Sequence, residues 1–333
     1  MGHPATALAP LAGQGHQFRL EDLCAAAVID DSRLVIASTR TPAVLVLNFL
    51  TGDSTTLGRS GEGPGEYRMP FGVAMLFDGR IAALDAMSLS VATWTPDGRR
   101  PDRWLRGGLA QATLDGFGNT VGEAYSLIGT STEIDRTLLG VPLLRIRKSG
   151  GVPDTVTLLQ RVRPIRVGPI PVIIPLFAPA DHWGVARDGT VWVASGTRHP
   201  VEWCRLGTDS WIRSAMLHIE EPPTTTRDRV PLQVELSIPD PAIRNLAHPL
   251  WPTKAAFAEA VGSPIGEVWV RLRWPVPDHR GEAWAVFQPV QGRPARMVRL
   301  PVGVRLVAVG DRHLFLGEDD ESGIVTVRKV MKP

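Results

Sequence analysis

Residues 187–195 read RDGTVWVAS, an Asp-Gly turn followed by an apolar run rich in β-branched and aromatic residues. Glycine adopts the positive φ that tight hairpin turns require, so this pattern predicts the start of a β-hairpin. The pattern recurs along the chain in three clear and two weaker copies. These are DDSRLVIAS (30–38), FDGRIAALD (77–85), IGEVWVRLR (265–273), LDGFGNTVGEA (114–124) and VGDRHLFLGED (309–319). Six copies indicate a repeat architecture.

A second apolar run follows each copy, and further runs precede or follow most of them. Around 187–195 these are HWGVAR (182–187), PVEWCRLGTD (200–209) and DSWIRSAML (209–217). The equivalent points of the six copies are Asp31, Asp78, Asp115, Asp188, Gly266 and Asp311, separated by 47, 37, 73, 78 and 45 residues. Three spacings are close to the length of a propeller blade, roughly 40 to 50 residues. The sequence therefore predicts an all-β fold, a six-bladed β-propeller of four-stranded antiparallel blades.

The two chain ends are predicted to meet in one blade. The last copy ends at Pro333 directly after its third run, so its outer strand has to come from elsewhere, and HQFRLED (16–22) has a suitable pattern. Closure by an N-terminal strand covers two exposed sheet edges. We therefore assign residues 1–15 to a flexible N-terminal tail and 16–333 to a single propeller domain.

The two longest spacings contain proline-rich insertions, at about 160–182 and 220–262. Within 163–179 the first carries five prolines, a density that excludes a helix interior and a central strand. In the second, AIRNLA (242–247) and TKAAFAEAVG (253–262) are predicted to form short helices, with Thr253 as N-cap of the latter.

Composition and charge exclude several classes of protein. The 36 basic and 34 acidic residues are interspersed, which argues against a nucleic-acid surface. The densest basic stretch, Arg161, Arg163 and Arg166, is interpreted as a solvated face. No apolar run reaches the length of a transmembrane helix. The two cysteines, Cys24 and Cys204, are interpreted as buried thiols.

The N-terminal residues carry no pattern of a secretory signal, because they lack a basic start and an unbroken apolar run. The expected location is therefore the cytoplasm if Met1 is the natural start. A periplasmic or exported protein remains the alternative if a leader has been removed.

Residues 58–99 read GRSGEGPGEYRMPFGVAMLFDGRIAALDAMSLSVATWTPDGR. This stretch resembles a blade of the bacterial six-bladed propellers related to NHL repeats, in its GPGE-Tyr segment, the following Pro and its two Asp-Gly turns. Residues 266–293 and 299–330 resemble the closing blades of that family. The resemblance implies a fold rather than an activity, since many members have no assigned reaction. The GEGPGE segment (61–66) is interpreted as a turn between blades, because its glutamates would repel a phosphate.

Some related propellers are calcium-dependent lactonases that hold the ion in the central channel. The alternative function implied here is accordingly a calcium-dependent lactonase or esterase, the one case in which a cofactor is expected. The channel candidates for the metal are Asp85, Glu123 and Glu318, each of which follows the first strand of a hairpin. A structural carboxylate bonded to nearby backbone is the competing interpretation, and we favour it. No HExxH or GxSxG motif marks a catalytic site.

The features that best predict function lie in the insertions. Apolar residues next to prolines are candidate anchors for a protein partner. They are Ile170, Ile173, Ile174, Leu176, Phe177, Trp251 and Trp274. The competing interpretation is that these segments fold back over the propeller itself. We predict a non-enzymatic interaction subunit whose partner belongs to a larger assembly, such as a respiratory or photosynthetic membrane complex. A receptor that binds a small ligand in the channel without chemistry is a third alternative, beside the lactonase.

Overall fold

The computed structural model describes residues 5–8, 15–99, 101–105, 108–124, 138–163, 165–167, 170–173, 177–205, 207–208, 210–228, 250–273 and 281–333. Its strands form six antiparallel blades. Blade 1 contains β3 (Ala25–Val28), β4 (Arg33–Ser38), β5 (Ala43–Asn48) and β6 (Ser54–Leu57). Blade 2 contains β9 (Pro70–Met75), β10 (Ile81–Asp85), β11 (Ser90–Trp94) and β12 (Asp102–Leu105). Blade 3 contains β13 (Ala110–Leu114), β14 (Thr120–Glu123), β15 (Leu138–Ile146) and β16 (Asp154–Val162).

Blade 4 contains β19 (His182–Val185), β20 (Val191–Ala194), β21 (Val201–Cys204) and β22 (Trp211–Arg213). Blade 5 contains β23 (Phe257–Gly262), β24 (Val268–Leu272), β25 (Glu282–Phe287) and β26 (Arg296–Leu300). Blade 6 contains β27 (Val304–Val309), β28 (His313–Asp319), β29 (Val325–Met331), β2 (Gln17–Leu20) and β1 (Ala5–Leu8). The first strand of every blade contacts the first strands of both neighbouring blades, so the ring is closed. The predicted six-bladed propeller is confirmed.

Each interface between adjacent blades contains its own hydrophobic cluster. In β4, Leu34 and Ile36 belong to the cluster shared with blade 6, whereas Val35 and Ala37 belong to the cluster shared with blade 2. Successive side chains of a strand point to opposite faces, so a strand between two neighbours is apolar at every position. This explains why the repeated runs are continuously hydrophobic rather than alternating.

The N-terminal strand closes the ring as predicted. β2 pairs with β29 in the register Phe18↔Val327 and Leu20↔Val325. The side chains of Phe18 and Leu20 are fully buried in the cluster between blades 6 and 1. Within the stretch assigned to a tail, Ala5–Leu8 forms β1, which pairs with β2.

The GEGPGE segment connects blades 1 and 2, as interpreted from the sequence. It lies in the link 58–69, between the strands of a short parallel pair, β7 (Arg59–Ser60) and β8 (Glu66–Tyr67). The hydroxyl of Tyr67 donates to the carbonyl of Leu57 at 3.0 Å and accepts from the amide of Val44 at 3.2 Å. The Trp94 indole donates to the carbonyl of Gly65. The link 58–69 is thus a clamp between the two blades.

The helix predicted for residues 253–262 is wrong. Phe257–Gly262 is β23, the first strand of blade 5, and Thr253 takes part in an isolated bridge with Pro223. Pairing with β24 and burial of Phe257 outweigh the local helix preference of this alanine-rich stretch. The second insertion therefore ends before Phe257. The other predicted helix, 242–247, lies outside the described residues. The only helix in the described part of the chain is a 3-10 turn, Thr226–Asp228.

The first insertion contains a hairpin that is separate from the blades. It is built from β17 (Ile165–Val167) and β18 (Ile170–Ile173), which pair as Ile165↔Ile173 and Val167↔Ile170. The exclusion of a central strand by the prolines is thus consistent with the structure. None of the described helices is long and apolar enough to cross a bilayer.

Candidate functional site

The longest connections of the propeller emerge at one end of the ring. Antiparallel order places at one end the links from second to third strands and from outer strands to the next blade. We call this end the insertion face. Four long links start and finish there on blades 3 to 5: residues 124–137, 163–181, 214–256 and 273–281. The opposite end, the turn face, carries links no longer than 288–295.

At the turn face, backbone hydrogen bonds tie neighbouring blades together around the channel. The amide of Phe77 donates to the carbonyl of Gly116, and the amide of Gly116 donates to that of Arg187. The amide of Arg187 in turn donates to the carbonyl of Pro264, and its guanidinium donates to the carbonyl of Leu76 at 2.9 Å. Blades 2 to 5 are therefore joined at this end by the hydrogen bonds of Arg187 and of Gly116.

At the insertion face the channel opens into a cavity of about 380 Å³, which we call the channel mouth. Its lining comes from the first strands of blades 1, 3, 4 and 5, and from Arg161 of β16, Asp181 before β19 and Trp192 of β20. The polar lining residues are Gln111, Thr113, Arg161, Asp181, His182, Trp183 and Trp192. A smaller cavity of about 160 Å³ lies between the mouth and the turn face.

One wall of the channel mouth is held by a buried ion pair. Arg161 donates to Glu123 through Nε at 3.0 Å and through Nη2 at 2.6 Å, and its Nη1 donates to the carbonyl of Asp181. The Trp183 indole donates to the same carboxylate at 2.6 Å. A bidentate Arg–carboxylate pair of this kind fixes both side chains. The interpretation of Arg161 as solvated is therefore wrong, since only 8% of the residue is exposed.

The carboxylate of Asp181 is also fully engaged by the backbone. Its two oxygens accept from the amides of Gln160 at 2.8 Å and Gly196 at 3.0 Å. These bonds connect the outer strand of blade 3 to blade 4. The acidic groups at the mouth therefore hold parts of the fold together.

His182 lies at the start of β19 in an electropositive setting. Burial, followed by the charges of Arg161 and Arg273, lowers the pKa of His182 to about 4. The imidazole is therefore neutral at pH 7. Among the described residues, the Arg273 side chain donates to the backbone carbonyls of Ala255 and Phe257, and none of the described carboxylates pairs with it.

Trp192, one of the lining residues of the mouth, is almost fully buried. Its residue is 3% exposed, and its indole nitrogen has no hydrogen-bond partner among the described atoms. The ring lies directly against Gly184 and Gly262, where an added Cβ would come within 2.4 Å and 2.3 Å of it. Glycine at both positions is what lets the indole fit between blades 4 and 5.

Gln111 adopts a backbone conformation that is uncommon for its residue type. It has φ of 44° and lies at the register shift between Ala110 and Thr113 in β13. A bulge in an inner strand re-aims side chains at the point where it occurs. The exposed side chain of Gln111 is thereby placed at the rim of the mouth.

The three predicted channel carboxylates lie apart from one another. Asp85, at the end of β10, is fully buried and accepts from the amides of Met87 and Ser88, and from those of Arg68 and Met69. Glu123 is occupied by Arg161 and Trp183, as described above. Glu318 is exposed and paired with Arg328 at 2.6 Å. No group of three His, Cys, Asp or Glu side chains suited to one metal ion occurs within the described ranges.

The predicted partner-contact residues are placed as follows. Ile170 and Ile173 are the two ends of β18 in the separate hairpin. Phe177 is half-buried, while Trp251 is 9% exposed and offers little side chain to a partner. Ile174, Leu176 and Trp274 lie outside the described residues.

Phe177 is where three of the long links meet. Its carbonyl accepts from the amide of Ala255, at the end of the second insertion, at 3.2 Å. The Arg273 guanidinium lies 5.2 Å from its ring centroid, and the ammonium of Lys254 lies 5.7 Å from it. Residues near the ends of the first and second insertions and at the start of the link within blade 5 are therefore in direct contact.

Sequence reasoning placed Glu123 at the channel but missed its pairing with Arg161 and the other residues of the channel mouth. Arg161 and Glu123 are 38 residues apart, and His182 has no neighbouring motif. The one available signal was the glycines of the inner strands, such as Gly184 and Gly262, and these do not specify a site by themselves.

No protein-family model matches the chain, and no curated protein matches it. Among solved structures, a Bacteroides fragilis protein described as a candidate exported protein matches with a TM-score of 0.51 and 12% identity, over 94% of this chain and 91% of that chain. Virginiamycin B lyase from Staphylococcus aureus matches with a TM-score of 0.44 and 11% identity, over 98% and 99% of the chains. A gluconolactonase from Xanthomonas campestris matches with a TM-score of 0.41 and 12% identity, over 99% of this chain and 96% of that chain. At 12% identity, the likeness to the Bacteroides fragilis protein establishes the fold alone.

Proposed function

We propose that the protein is a non-enzymatic interaction subunit that binds a protein partner through the insertion face of blades 3 to 5. The observation that carries the proposal is the meeting of three long links at Phe177, on the face that bears all four of them. Loops on a rigid scaffold are the usual carriers of recognition. Because the turn face carries only short links, we expect a partner to bind the insertion face.

The state of the buried carboxylates supports a role other than hydrolysis. Asp85 and Glu123 are occupied by backbone amides and by Arg161. A catalytic acid or metal ligand needs an oxygen that substrate or ion can reach. These side chains instead hold links and blades in place.

The apolar hairpin of the first insertion supplies the expected anchors. Replacing Ile170, Ile173 and Ile174 with Ser should weaken partner binding by about 2 kcal/mol or more, the typical cost of removing central anchors. The matched control replaces Val152, Ile265 and Val290 with Ser. These three exposed apolar residues lie on turn-face links.

The experiment compares tagged forms of the wild type and the two triple variants, cross-linked in cells of the source organism and analysed by mass spectrometry. A protein recovered with the wild type and the turn-face variant, and lost with the insertion-face variant, is the expected result. Recovery of the same protein by all three forms, or by none, would contradict the proposal.

The finer version of the proposal is a partner within a respiratory or photosynthetic membrane complex, with this chain as an extrinsic subunit. It rests on the apolar character of residues 163–179. In that case the wild type should sediment with membranes at low salt, and the insertion-face variant should not. If both forms divide equally between the membrane pellet and the supernatant, the partner is not a membrane component.

A further inference from the structure

Phe177 has a backbone conformation that is strained for an aromatic residue. Its φ is 64°, in the left-handed region where the Cβ of a side chain comes too close to the following carbonyl oxygen. A bulky residue keeps such a conformation only where its surroundings hold it, and strained residues of this kind are concentrated at switch regions and binding sites. Contacts around Phe177 therefore have to offset the strain.

Those contacts come from two other links. The ring of Phe177 lies 5.2 Å from the guanidinium of Arg273 and 5.7 Å from the ammonium of Lys254, both within the range of cation–π attraction. The carbonyl of Phe177 accepts from the amide of Ala255, whose own carbonyl accepts from Nε of Arg273 at 3.1 Å. The end of the second insertion and the start of the link within blade 5 thus hold Phe177 in the strained conformation.

The residues that follow Phe177 are fixed to blade 4. Both carboxylate oxygens of Asp181 are bonded to backbone amides, and Pro179 is buried. The backbone of Ala180 lies so close to Gly196 that a Cβ added there would come within 2.3 Å of the Ala180 carbonyl oxygen. A rotation about φ of Phe177 would leave this stretch in place and redirect the chain before it. Phe177 therefore lies at a hinge position.

We propose that Phe177 is a strained latch that holds the first insertion against the base of the second. In the closed state φ is positive and the ring contacts both cations. In the open state φ is negative, the strain is relieved and both cations lose the ring. The use of the latch rests on the proposed function, because a closed latch presents the two insertions to a partner as one surface. The latch itself is a property of the free protein.

Hydrogen exchange of two neighbouring amides, followed by NMR in protein labelled at alanine and lysine, tests the latch. The amide of Ala255 donates to Phe177 and is released when the latch opens. The amide of Lys254 donates to the carbonyl of Pro222 at 2.9 Å, within the base of the second insertion, and is the internal reference. Phe177→Leu keeps an apolar side chain without the π face. It should make Ala255 exchange about tenfold faster, the value of two cation–π contacts, and leave Lys254 unchanged.

Two control variants separate the ring from other effects. Phe177→Tyr keeps the π face, so Ala255 should exchange as in the wild type. Phe117→Leu makes the same exchange of side chain at a turn-face residue that is 59% exposed, and it should have no effect on Ala255.

Gly and Ala at position 177 test the strain, because both lack the ring. Glycine adopts a φ of 64° without the cost that alanine incurs, so Ala255 should exchange about tenfold more slowly in Phe177→Gly than in Phe177→Ala. At a position with negative φ the order is the reverse, since glycine adds backbone freedom. The order of these two variants therefore reports the strain itself.

Three results would overturn the latch. They are unchanged exchange of Ala255 in Phe177→Leu, equal acceleration of Ala255 and Lys254 in that variant, and exchange in Phe177→Gly that is as fast as in Phe177→Ala or faster. Since all of these measurements use the free protein, they decide the latch separately from the partner, which the cross-linking experiment decides.

Discussion

Asp85 has no access to solvent, yet the chain around it satisfies its carboxylate. One oxygen accepts from the amides of Met87 and Ser88, and the other accepts from those of Arg68 and Met69. Burial raises its pKa, but the four backbone bonds together lower the pKa below the ordinary value. The charge of this residue is thus part of the link between blades 1 and 2.

Asp85→Asn should reduce the free energy of unfolding by about 1–3 kcal/mol, because the new NH₂ group faces amide donors that have lost their acceptor. Urea unfolding at pH 7 measures the change. Asp188→Asn, at an exposed turn, is the control and should cost little. Equal effects of the two substitutions would show that the buried bonds do not contribute.

The lowered pKa of His182 predicts how the stability of the protein depends on pH. Its pKa of about 4 in the folded protein lies below the ordinary value of about 6.5. The unfolded chain therefore takes up a proton first on acidification, so the stability that the neutral imidazole provides is complete above pH 6.5 and decreases between pH 6.5 and 4. Unfolding of His182→Gln should depend less on pH over this interval. The exposed His218→Gln should behave as the wild type, and parallel curves for all three proteins would refute the assignment.

At the scale of elements, turn residues and apolar runs predicted the strands better than they predicted the residues of the channel mouth. The six turn positions, Asp31 to Asp311, are the first turns of the six blades, because turn residues carry their signal within a few positions. β23 was missed because its alanines favour a helix until β24 pairs with them. The Glu123–Arg161 pair was missed because it forms only after blade 3 has folded.

The clamp formed by residues 58–69 gives a prediction at this scale. Tyr67→Phe removes the hydroxyl that bridges Val44 and Leu57, and leaves two buried backbone groups without that partner. We expect a loss of about 1–3 kcal/mol in the free energy of unfolding, measured by urea titration. Thr55→Val removes an exposed hydroxyl of blade 1 and should change stability by less than about 0.5 kcal/mol. A loss of similar size in Thr55→Val would mean that the bridge is not the cause.

At the scale of the whole molecule, the two faces of the ring have different tasks. The turn face carries short links and Arg187, which joins blades 2 to 5, beside a cavity of about 410 Å³. The insertion face carries the long links of blades 3 to 5 and the open channel mouth. Recognition on the insertion face requires that the ring stays closed. The ring is closed by pairing of the N-terminal strand β2 with β29, which are not consecutive in the chain.

Deletion of residues 1–22 should therefore destabilise the whole propeller. It removes Phe18 and Leu20, which are fully buried between blades 6 and 1, and each large apolar side chain contributes about 1.5–3 kcal/mol. It also exposes the edge of β29 to pairing with other chains. We expect a loss of about 3–6 kcal/mol and self-association, followed by thermal unfolding and light scattering. Deletion of residues 1–14, which keeps β2, should cost much less. Equal thermal stability of the longer deletion and the full chain would show that β2 does not close the ring.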